Sequence, residues 1–333
     1  MKKVIIKEPF KVDVIEISNP KLEVNSALIE TKYIGICGSD VIKFTGRYKG
    51  LKYPVTPGHE FTGVIKELKD NKSGFRIGDS VVVNPNIFCG KCSYCIDNKK
   101  YLCKNLKTLG ANGMDGAMQG LINVPLKNIL KIKSNDLKKL SLSEPLSVAI
   151  HPILDIDSKS KMLFFGLGGI GTLSLIYLKD NIKNLSIVEL NKKQLGLGSS
   201  LGINEVFDYS YLIKNYEKFS EKFDDIIINC PLSQEIFDIS TMLVKRGGKI
   251  IIIGLSVEDI KVDFVKILNR EISIVTSFKF SEDDFNTAVN FLKSNDVFSI
   301  IKIKAFPLFN AFDAFKSKLK NPEFKVLLKN TEG

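Results

Sequence analysis

The sequence predicts an α/β protein with two domains, and three observations support that prediction. The chain has 333 residues, which is too long for one ordinary compact core and suits two. Residues 1 to about 145 have the pattern of short strands separated by Gly, Pro, Asn and Asp. From Lys161 onward, short apolar strands alternate with helical lengths, which is typical of a doubly wound parallel sheet.

Each half has its own strand-like segments. In the first half they are Val12–Ile17, Leu28–Ile34, Phe61–Glu67 and Ser80–Val83. In the second half they are Lys161–Phe165, Leu185–Leu190, Ile226–Asn229 and Lys249–Ile253. After about residue 280 the pattern predicts helices near Asp284–Lys293 and Ala311–Leu319, and strands near Ile300–Lys304 and Lys325–Leu328. The pattern alone leaves open which domain this tail joins.

Charge and composition argue against several classes of protein. The formal charge is +11, but the lysines are scattered and no RNP-like motif is present, so we expect no nucleic-acid partner. A positive field would instead favour an anionic substrate. Charge returns at Lys7, too soon for a signal peptide, and apolar runs such as Ile250–Ile253 are too short to span a membrane. We therefore expect a cytoplasmic protein that acts on a small molecule and has no membrane partner.

Four of the six cysteines form one compact cluster. They follow the pattern Cys89-x2-Cys92-x2-Cys95-x7-Cys103. In a reducing compartment such spacing indicates a metal site rather than disulfides, and four thiolates would close the coordination shell of a structural zinc ion. An iron–sulfur cluster and four unrelated reduced thiols are the alternatives that the spacing leaves open.

A second candidate metal site combines residues from three separate segments. Cys37 lies in Cys-Gly-Ser-Asp, His59 in Gly-His-Glu and Glu144 in Ser-Glu-Pro-Leu-Ser. One thiolate, one imidazole and one carboxylate form a normal ligand set for a catalytic zinc that keeps an open position. Each residue is a weak signal by itself, because lone cysteines and histidines are also common in protein cores. The chain has only two histidines, however, and one of them lies in this Gly-His-Glu turn.

A glycine loop follows the first strand of the second half. The segment Gly166-Leu167-Gly168-Gly169-Ile170-Gly171 matches the dinucleotide-binding pattern G-x-G-x-x-G between a strand and a helix. Glu189 ends the next strand, about twenty residues later, where an acidic side chain binds the ribose 2′-hydroxyl of NAD and repels the phosphate of NADP. The lysines at 192 and 193 weaken that distinction. The pattern favours NAD, and a bare strand–turn–helix is the structural alternative.

Together these motifs resemble the zinc-dependent medium-chain alcohol dehydrogenases, most of all the branch of sorbitol and other polyol dehydrogenases. The resemblance extends nearly from end to end and rests on Gly35–Asp40, Pro57–Glu60, Gly78–Val81, the four cysteines, Asp115–Gln119 and Glu144–His151. It implies a GroES-like β-rich catalytic domain formed by residues 1–147 and 280–333, which carries both zinc sites. It also implies a doubly wound Rossmann NAD-binding domain formed by residues 148–279. Dimers and tetramers are usual in the family, so we expect a homodimer or homotetramer.

The resemblance also assigns the metal ligands. Cys37 and His59 would bind the catalytic zinc, and Glu60 is a ligand in the polyol branch. Glu144 would bind directly or through the zinc-bound water. Two zinc ions per chain and one NAD are therefore the implied cofactors.

Two neighbours of Cys37 would assist the chemistry, according to the same resemblance. Ser39 would contact the substrate hydroxyl, and Asp40 would accept a hydrogen bond from the second ring nitrogen of His59. Many relatives have a histidine three residues after this serine, where this chain has Ile42. The proton relay would therefore run through water, the cofactor ribose or Glu144.

The remaining inferences from the resemblance concern the cofactor and the substrate. Gly254 and Leu255 are similar to the nicotinamide-side segment of the family. Lys279 and Phe280 stand where polyol dehydrogenases have an Arg and a Tyr, so sorbitol itself is disfavoured. We expect a secondary alcohol of a polyol, sugar acid or sugar phosphate, with Lys43, Arg47 or Lys279 meeting an anionic group. A solvated surface is the alternative role for these basic residues.

Several rival functions remain open. A threonine-type or simple alcohol dehydrogenase is the nearest, although threonine dehydrogenases usually carry a Trp-containing insertion and this chain has no Trp. A quinone or enoyl reductase of the same superfamily would lack both zinc sites. A non-catalytic zinc-bearing structural or regulatory protein is the remaining alternative.

Overall fold

The computed structural model describes residues 1–48, 50–69, 74–111, 113–154, 156–180, 182–203, 205–254, 259–321 and 325–331. The chain divides into two compact units. The first contains Met1–Ser147 together with Phe280–Gly333, and the second contains Val148–Lys279. Each unit has its own buried core and is described by itself.

Strands are the main regular structure of the first 147 residues. The strands are β1 (Lys2–Glu8), β2 (Lys11–Glu16), β3 (Ser26–Gly35), β4 (Glu60–Leu68), β5 (Ser80–Val83), β6 (Asn86–Ile87), β7 (Lys107–Thr108), β8 (Leu121–Pro125) and β9 (Ile129–Ile132). Four short helices accompany them: α1 (Gly38–Phe44), α2 (Ser93–Ile96), α3 (Leu137–Leu140) and α4 (Ser143–Ile150). The predicted β-rich first half is therefore confirmed.

The second unit alternates strands and helices. The strands are β10 (Met162–Phe165), β11 (Leu185–Glu189), β12 (Glu205–Asp208), β13 (Phe223–Ile228), β14 (Val244–Ile252) and β15 (Ser273–Thr276). The helices are α5 (Gly169–Leu178), α6 (Lys192–Ser200), α7 (Tyr209–Lys214), α8 (Gln234–Leu243) and α9 (Phe264–Asn269). All six strands are parallel, in the order β12-β11-β10-β13-β14-β15. The order reverses between β10 and β13, which is the switch point where doubly wound sheets bind dinucleotides.

The tail after residue 280 belongs to the first unit. It contains α10 (Glu282–Ser294), β16 (Ile303–Pro307), α11 (Ala311–Lys320) and β17 (Lys325–Lys329). A seven-stranded sheet runs β16-β17-β3-β4-β5-β9, with β8 also paired to β3. Because β17 is antiparallel to β3 with Leu327 opposite Gly35, Lys325 lies beyond the point where β3 ends. The tail therefore contributes a side chain to the region around Cys37.

Helix α1 is anchored by aromatic packing. Phe44, its last residue, stacks on Phe315 of α11 with ring centroids 5.0 Å apart and meets Phe10 edge-on at 5.3 Å. This packing fixes the helix that begins directly after Cys37 and carries Asp40 and Lys43. Neither α1 nor any other described helix has the length and apolar character needed to cross a membrane.

Candidate metal centre and dinucleotide loop

The four clustered cysteines converge in a small lobe of the first unit. Their sulfur atoms all lie within 4.8 Å of one another, and none of the four forms a disulfide. The backbone N–H groups of Lys91 and Cys92 lower the pKa of the Cys89 thiol to about 6. Burial raises the pKa of the Cys95 thiol to about 12, so metal binding there would displace a proton. Four converging sulfur atoms fit a tetrahedral zinc ion.

The cysteine lobe has little apolar core of its own. Its buried cluster consists of Phe88, Cys95 and Cys103, with Leu106 packed against them. Helix α2, which follows Cys92, is only four residues long. A segment with so few buried side chains depends on its metal for folding free energy, which is the expected role of a closed four-sulfur site.

The second group of candidate ligands lies where β3 ends and β4 begins. Cys37 follows β3 and precedes α1, while His59 and Glu60 lie at the start of β4. The ladder places Gly35 opposite Glu60, which brings the two segments together. One ligand atom from each of Cys37, His59 and Glu60 lies within 4.8 Å of the others. Burial, together with the charges of Glu60 and Asp40, raises the pKa of the Cys37 thiol, so metal binding there would displace a proton.

Glu60 is shared between this group and a buried lysine from the tail. Lys325 Nζ donates to Glu60 Oε2, and both side chains are buried. The other oxygen, Oε1, has no hydrogen-bond partner among the described residues. A Cβ atom at Gly35 would lie 1.9 Å from Glu60 Oε2, so glycine leaves the room that the carboxylate needs. A buried carboxylate oxygen that no protein group satisfies is well suited to bind a metal ion.

Asp40 connects His59 to α1. Asp40 is 0 % exposed, and its Oδ2 accepts the backbone N–H of Cys37 at 3.2 Å. Its Oδ1 lies 3.7 Å from His59 Nδ1, which has no hydrogen-bond partner among the described residues. Burial alone would raise the pKa of Asp40, but Lys43 and His59 hold it below its usual range. Since Nδ1 faces Asp40, Nε2 is the ring nitrogen available to a metal.

Glu144 lies near this group without being part of it. Burial raises the pKa of Glu144 to about 8, with Glu60 and Cys37 adding to the rise and His59 opposing it. Its carboxyl is therefore within electrostatic reach of all three. Among the described residues at this site, however, only Cys37, His59 and Glu60 have ligand atoms within 4.8 Å of one another. The geometry thus favours Glu60 over Glu144 as the directly placed carboxylate.

The predicted substrate residues are placed differently from one another. Lys43 is 4 % exposed, and its Nζ donates to Asp40 Oδ1 at 3.0 Å and to the Gly110 carbonyl at 2.7 Å. This burial argues against the substrate contact that the sequence suggested for Lys43. Arg47 is exposed, with Nε donating to Thr45. Lys279 is half-buried at φ +58°, with Nζ 5.5 Å from the Phe278 ring centroid.

The glycine loop of the second unit leaves open space above its helix. Gly166 has φ +89°, and a Cβ there would lie 2.9 Å from Cys230 Cβ, so this turn requires glycine. A Cβ at Gly171 would lie 2.1 Å from the Gly166 carbonyl oxygen, so only glycine allows α5 to pack this closely against the loop. At Gly168 and Gly169, by contrast, a Cβ would meet no described atom within 4 Å. The start of α5 is therefore accessible to a phosphate group.

The remaining predicted cofactor residues surround this loop. Glu189 accepts N–H bonds from Leu167, Leu190 and Asn191, so its carboxylate ties the glycine loop to the end of β11. Ile170 is half-buried in the first turn of α5. Gly254 packs against Cys230, whose carbonyl oxygen would be 1.8 Å from a Cβ at that position. Leu255 lies outside the described residues.

Sequence reasoning missed Lys325. No local pattern indicates its role, because its partner Glu60 is 265 positions away in the chain. A lysine at the start of an apolar strand segment, Lys325-Val-Leu-Leu, was the only available signal. Such a buried cation requires a buried anion, and the sequence does not say which one.

Comparison with known proteins agrees with this geometry. Residues 23–134 match the alcohol dehydrogenase GroES-like domain, and residues 169–294 match the zinc-binding dehydrogenase domain. Sorbitol dehydrogenase of Halalkalibacterium halodurans is 30 % identical over 284 residues, covering 81 % of each chain. D-arabitol-phosphate dehydrogenase of Enterococcus avium is 26 % identical, covering 95 % of this chain and 93 % of its own.

A solved structure supports the same assignment. An Escherichia coli CFT073 alcohol dehydrogenase in complex with NADH has a TM-score of 0.89 and 26 % identity, with 99 % of both chains covered. Both domain types, the paired metal-ligand groups and the glycine loop are thus present in one chain. The protein belongs to the zinc-dependent alcohol dehydrogenase family and is an oxidoreductase.

Proposed function

We propose that the protein uses zinc and NAD to oxidise a secondary hydroxyl of a polyol, sugar acid or sugar phosphate. The observation that carries this proposal is the convergence of Cys37, His59 and Glu60 within 4.8 Å, with His59 Nδ1 and Glu60 Oε1 lacking hydrogen-bond partners among the described residues. Sulfur, imidazole and carboxylate donors that leave a fourth position open are typical of catalytic zinc. A bound zinc ion supplies Lewis acidity at the substrate hydroxyl, and a bound nicotinamide accepts hydride.

The residues around the metal ligands hold and orient the reacting groups. Ser39, two positions after Cys37, is half-buried and is the hydroxyl that we assign to the substrate oxygen. Asp40 lies beside His59, with Oδ1 3.7 Å from Nδ1, and Lys325 holds Glu60 through an ion pair. Glu144 completes the acidic surroundings of the centre. The cysteine lobe, Cys89, Cys92, Cys95 and Cys103, holds a second zinc ion that stabilises the fold.

The second unit supplies the dinucleotide site. Open space at Gly168 and Gly169 suits the pyrophosphate, which the N-terminus of α5 would stabilise. Glu189 already accepts three backbone N–H bonds, which fixes its carboxylate at the end of β11, where the adenosine ribose binds in such folds. A fixed carboxylate there disfavours the extra phosphate of NADP, so we propose NAD as the cofactor.

The proposed substrate carries an anionic group. Lys43 is committed to Asp40 and Gly110, so we propose that Arg47 and Lys279 meet this group. Arg47 is exposed next to α1, and Lys279 is half-buried in a backbone conformation that side chains rarely adopt. A relative that acts on a sugar phosphate covers 95 % of this chain, which supports the same substrate class.

We further infer a homodimer formed through the exposed edge of the parallel sheet. All four residues of β15 are exposed, and β15 is the last strand of the described sheet. Phe264 and Leu268 of the adjacent α9 are 74 % and 77 % exposed, which is unusual for large apolar side chains. A second copy could pair its own β15 with this edge and cover both residues. Reduced cysteines in two metal sites also favour a cytoplasmic location.

The function is tested by metal analysis and a matched substrate panel. Zinc-replete protein is expected to contain about two zinc ions per chain and to reduce NAD faster than NADP. The panel pairs each polyol with its phosphate and its acid, so that only the anionic group differs. Lys279→Gln and Arg47→Gln should raise KM for the anionic member about tenfold and leave the neutral member unchanged.

Three results would each contradict a part of the proposal. Active protein that binds no zinc at Cys37, His59 and Glu60 would contradict the proposed metal centre. Preference for the neutral polyol in every pair would leave the enzyme class intact and overturn the substrate class. Light scattering that gives a monomer, or a dimer unaffected by Val275→Lys, would overturn the assembly.

A further inference from the structure

We propose that Lys43 is a positioning residue of the metal centre, which holds the charge of Asp40 away from His59 and so weakens the grip of the centre on its metal. The inference rests on the proposed zinc site at Cys37, His59 and Glu60. It replaces the substrate contact that the sequence suggested for this lysine. The role rests on the burial of Lys43, on its distances to Asp40 and Gly110, and on the distance between Asp40 and His59.

Lys43 is committed to the interior of the first unit. Its side chain is buried, with Nζ 3.0 Å from Asp40 Oδ1 and 2.7 Å from the Gly110 carbonyl oxygen. Its own carbonyl accepts the Tyr53 hydroxyl at 2.6 Å. A buried ammonium is stable only when it is paired, and these bonds satisfy two of its three N–H donors. Both ends of the residue are therefore fixed.

Gly110 packs closely against the segment that carries His59. Gly110 has φ +76°, and a Cβ at this position would lie 2.8 Å from the Gly58 carbonyl oxygen. Gly58 directly precedes His59. The residue that provides the acceptor for Lys43 thus packs against the residue that precedes the histidine.

Lys43 and His59 compete for one oxygen of Asp40. Oδ2 is occupied by the Cys37 N–H, which leaves Oδ1 for the other two groups. Oδ1 lies 3.0 Å from Lys43 Nζ and 3.7 Å from His59 Nδ1, so the lysine is within hydrogen-bond distance and the histidine is not. Asp40 is fully buried and has no solvent to share its charge.

The competition has a definite consequence for a metal bound through His59. A carboxylate that accepts the second N–H of a ligating histidine makes the imidazole a stronger donor and tightens metal binding. Lys43 holds Oδ1 away from that position and adds a positive charge near the metal. Both effects leave the metal less tightly bound and more electron-poor. An electron-poor zinc ion is the stronger Lewis acid. Lys43 therefore lowers the zinc affinity of the centre and raises its catalytic reactivity.

The test removes the positive charge of Lys43 and measures zinc affinity and the NMR signal of His59. Lys43→Met removes the ammonium with little change in volume, and Lys66→Met is the matched control, since Lys66 pairs with Glu30. Competition with a zinc-binding dye should show about tenfold tighter zinc binding at the Cys37 centre in Lys43→Met, together with a lower kcat. The chain has only two histidines, so ring-labelled NMR can follow His59 directly. Its Nδ1–H proton should move downfield as Asp40 approaches.

Double substitution separates the proposed role from a general structural one. In an Asp40→Asn background, Lys43→Met should tighten zinc binding much less than in wild type, because no carboxylate remains to be released and only the loss of the lysine charge acts. Lys43→Gln is measured in parallel, in case Lys43→Met does not fold. Unchanged or weaker zinc binding in the folded variants, with the His59 proton unshifted, would overturn the inference. Wild-type protein that takes up zinc only in the cysteine lobe would overturn the proposed function as well.

Discussion

The two metal sites of the first unit are built on opposite plans. The cysteine lobe takes four identical ligands from one segment, 89–103, and surrounds them with backbone N–H groups and a minimal core. The Cys37 centre takes three different ligands from two segments and surrounds them with buried charged side chains, Asp40, Lys43 and Lys325. The first is a local structure, whereas the second exists only after the sheet has formed.

This difference indicates what each site does. A closed set of four thiolates has no place for a substrate and compensates for a missing core. Buried ion pairs such as Lys325–Glu60 contribute little net stability and are costly when broken, so their presence around the Cys37 centre points to orientation of the ligands. We therefore expect loss of one site to impair stability and loss of the other to impair catalysis.

The largest effect is expected at His59. His59→Gln should lower kcat/KM at least about a thousandfold, because the Lewis-acid contribution of the metal amounts to several kcal/mol. Zinc content should fall to about one ion per chain, with the melting temperature nearly unchanged. His151→Gln, at the only other histidine, is the control and should keep both zinc ions. Activity of His59→Gln within tenfold of wild type would contradict the assignment.

The cysteine lobe should respond in the opposite way. Cys95→Ser is expected to release the lobe zinc and to destabilise the first unit by about 4 kcal/mol, the scale of losing a structural metal. Limited proteolysis should then cleave between Cys89 and Cys103, while the remaining folded protein keeps its turnover rate. Cys230→Ser lies outside both metal groups and serves as the control. A lobe that stays protease-resistant without zinc would show that the metal is dispensable there.

Lys325 sharpens the comparison, because its effect should depend on the metal. Lys325→Met leaves Glu60 buried and unpaired, which should destabilise zinc-free protein by about 3 kcal/mol in denaturant unfolding. Zinc at the Cys37 centre should recover much of that loss by neutralising Glu60. Lys329→Met, at the exposed end of the same strand, is the control. If Lys325→Met were equally destabilised with and without zinc, Glu60 would not be a ligand of the metal.

The sequence predicted some strands closely and missed others. Ser80–Val83 was predicted with the bounds that the structure gives β5, and β10 and β11 agree within a residue at each end. It assigned no strand to β15, because all four residues are exposed and leave no alternating pattern. In β1, Val4 and Ile6 are buried with Ile5 half-buried between them, so a continuous apolar run hides the alternation.

The residues of the candidate site also fall into a group that the sequence predicted and a group that it missed. Glycines and metal-ligand residue types carry short-range patterns, so the sequence alone was enough to propose Cys37, His59 and the cysteine lobe. It was not enough for Lys43 and Lys325, because the role of each depends on partners brought by the fold. Lys43 faces Gly110, which is 67 positions away, and Lys325 faces Glu60 across the seven-stranded sheet. Lysines are usually exposed, so sequence reasoning favoured a surface or substrate role for Lys43 and assigned no role to Lys325.

The smallest effect separates two glycines that lie three positions apart. Gly35→Ala would place a Cβ 1.9 Å from Glu60 Oε2, whereas Gly38→Ala would meet no described atom within 4 Å. Displacing a buried, ion-paired carboxylate is expected to cost about 1–3 kcal/mol and to weaken zinc binding at the Cys37 centre. Gly38 lies in α1, so alanine there should be neutral or slightly stabilising. Zinc titration and thermal unfolding of the pair measure both quantities. If Gly35→Ala bound zinc as tightly as Gly38→Ala, the placement of Glu60 would not matter to the centre.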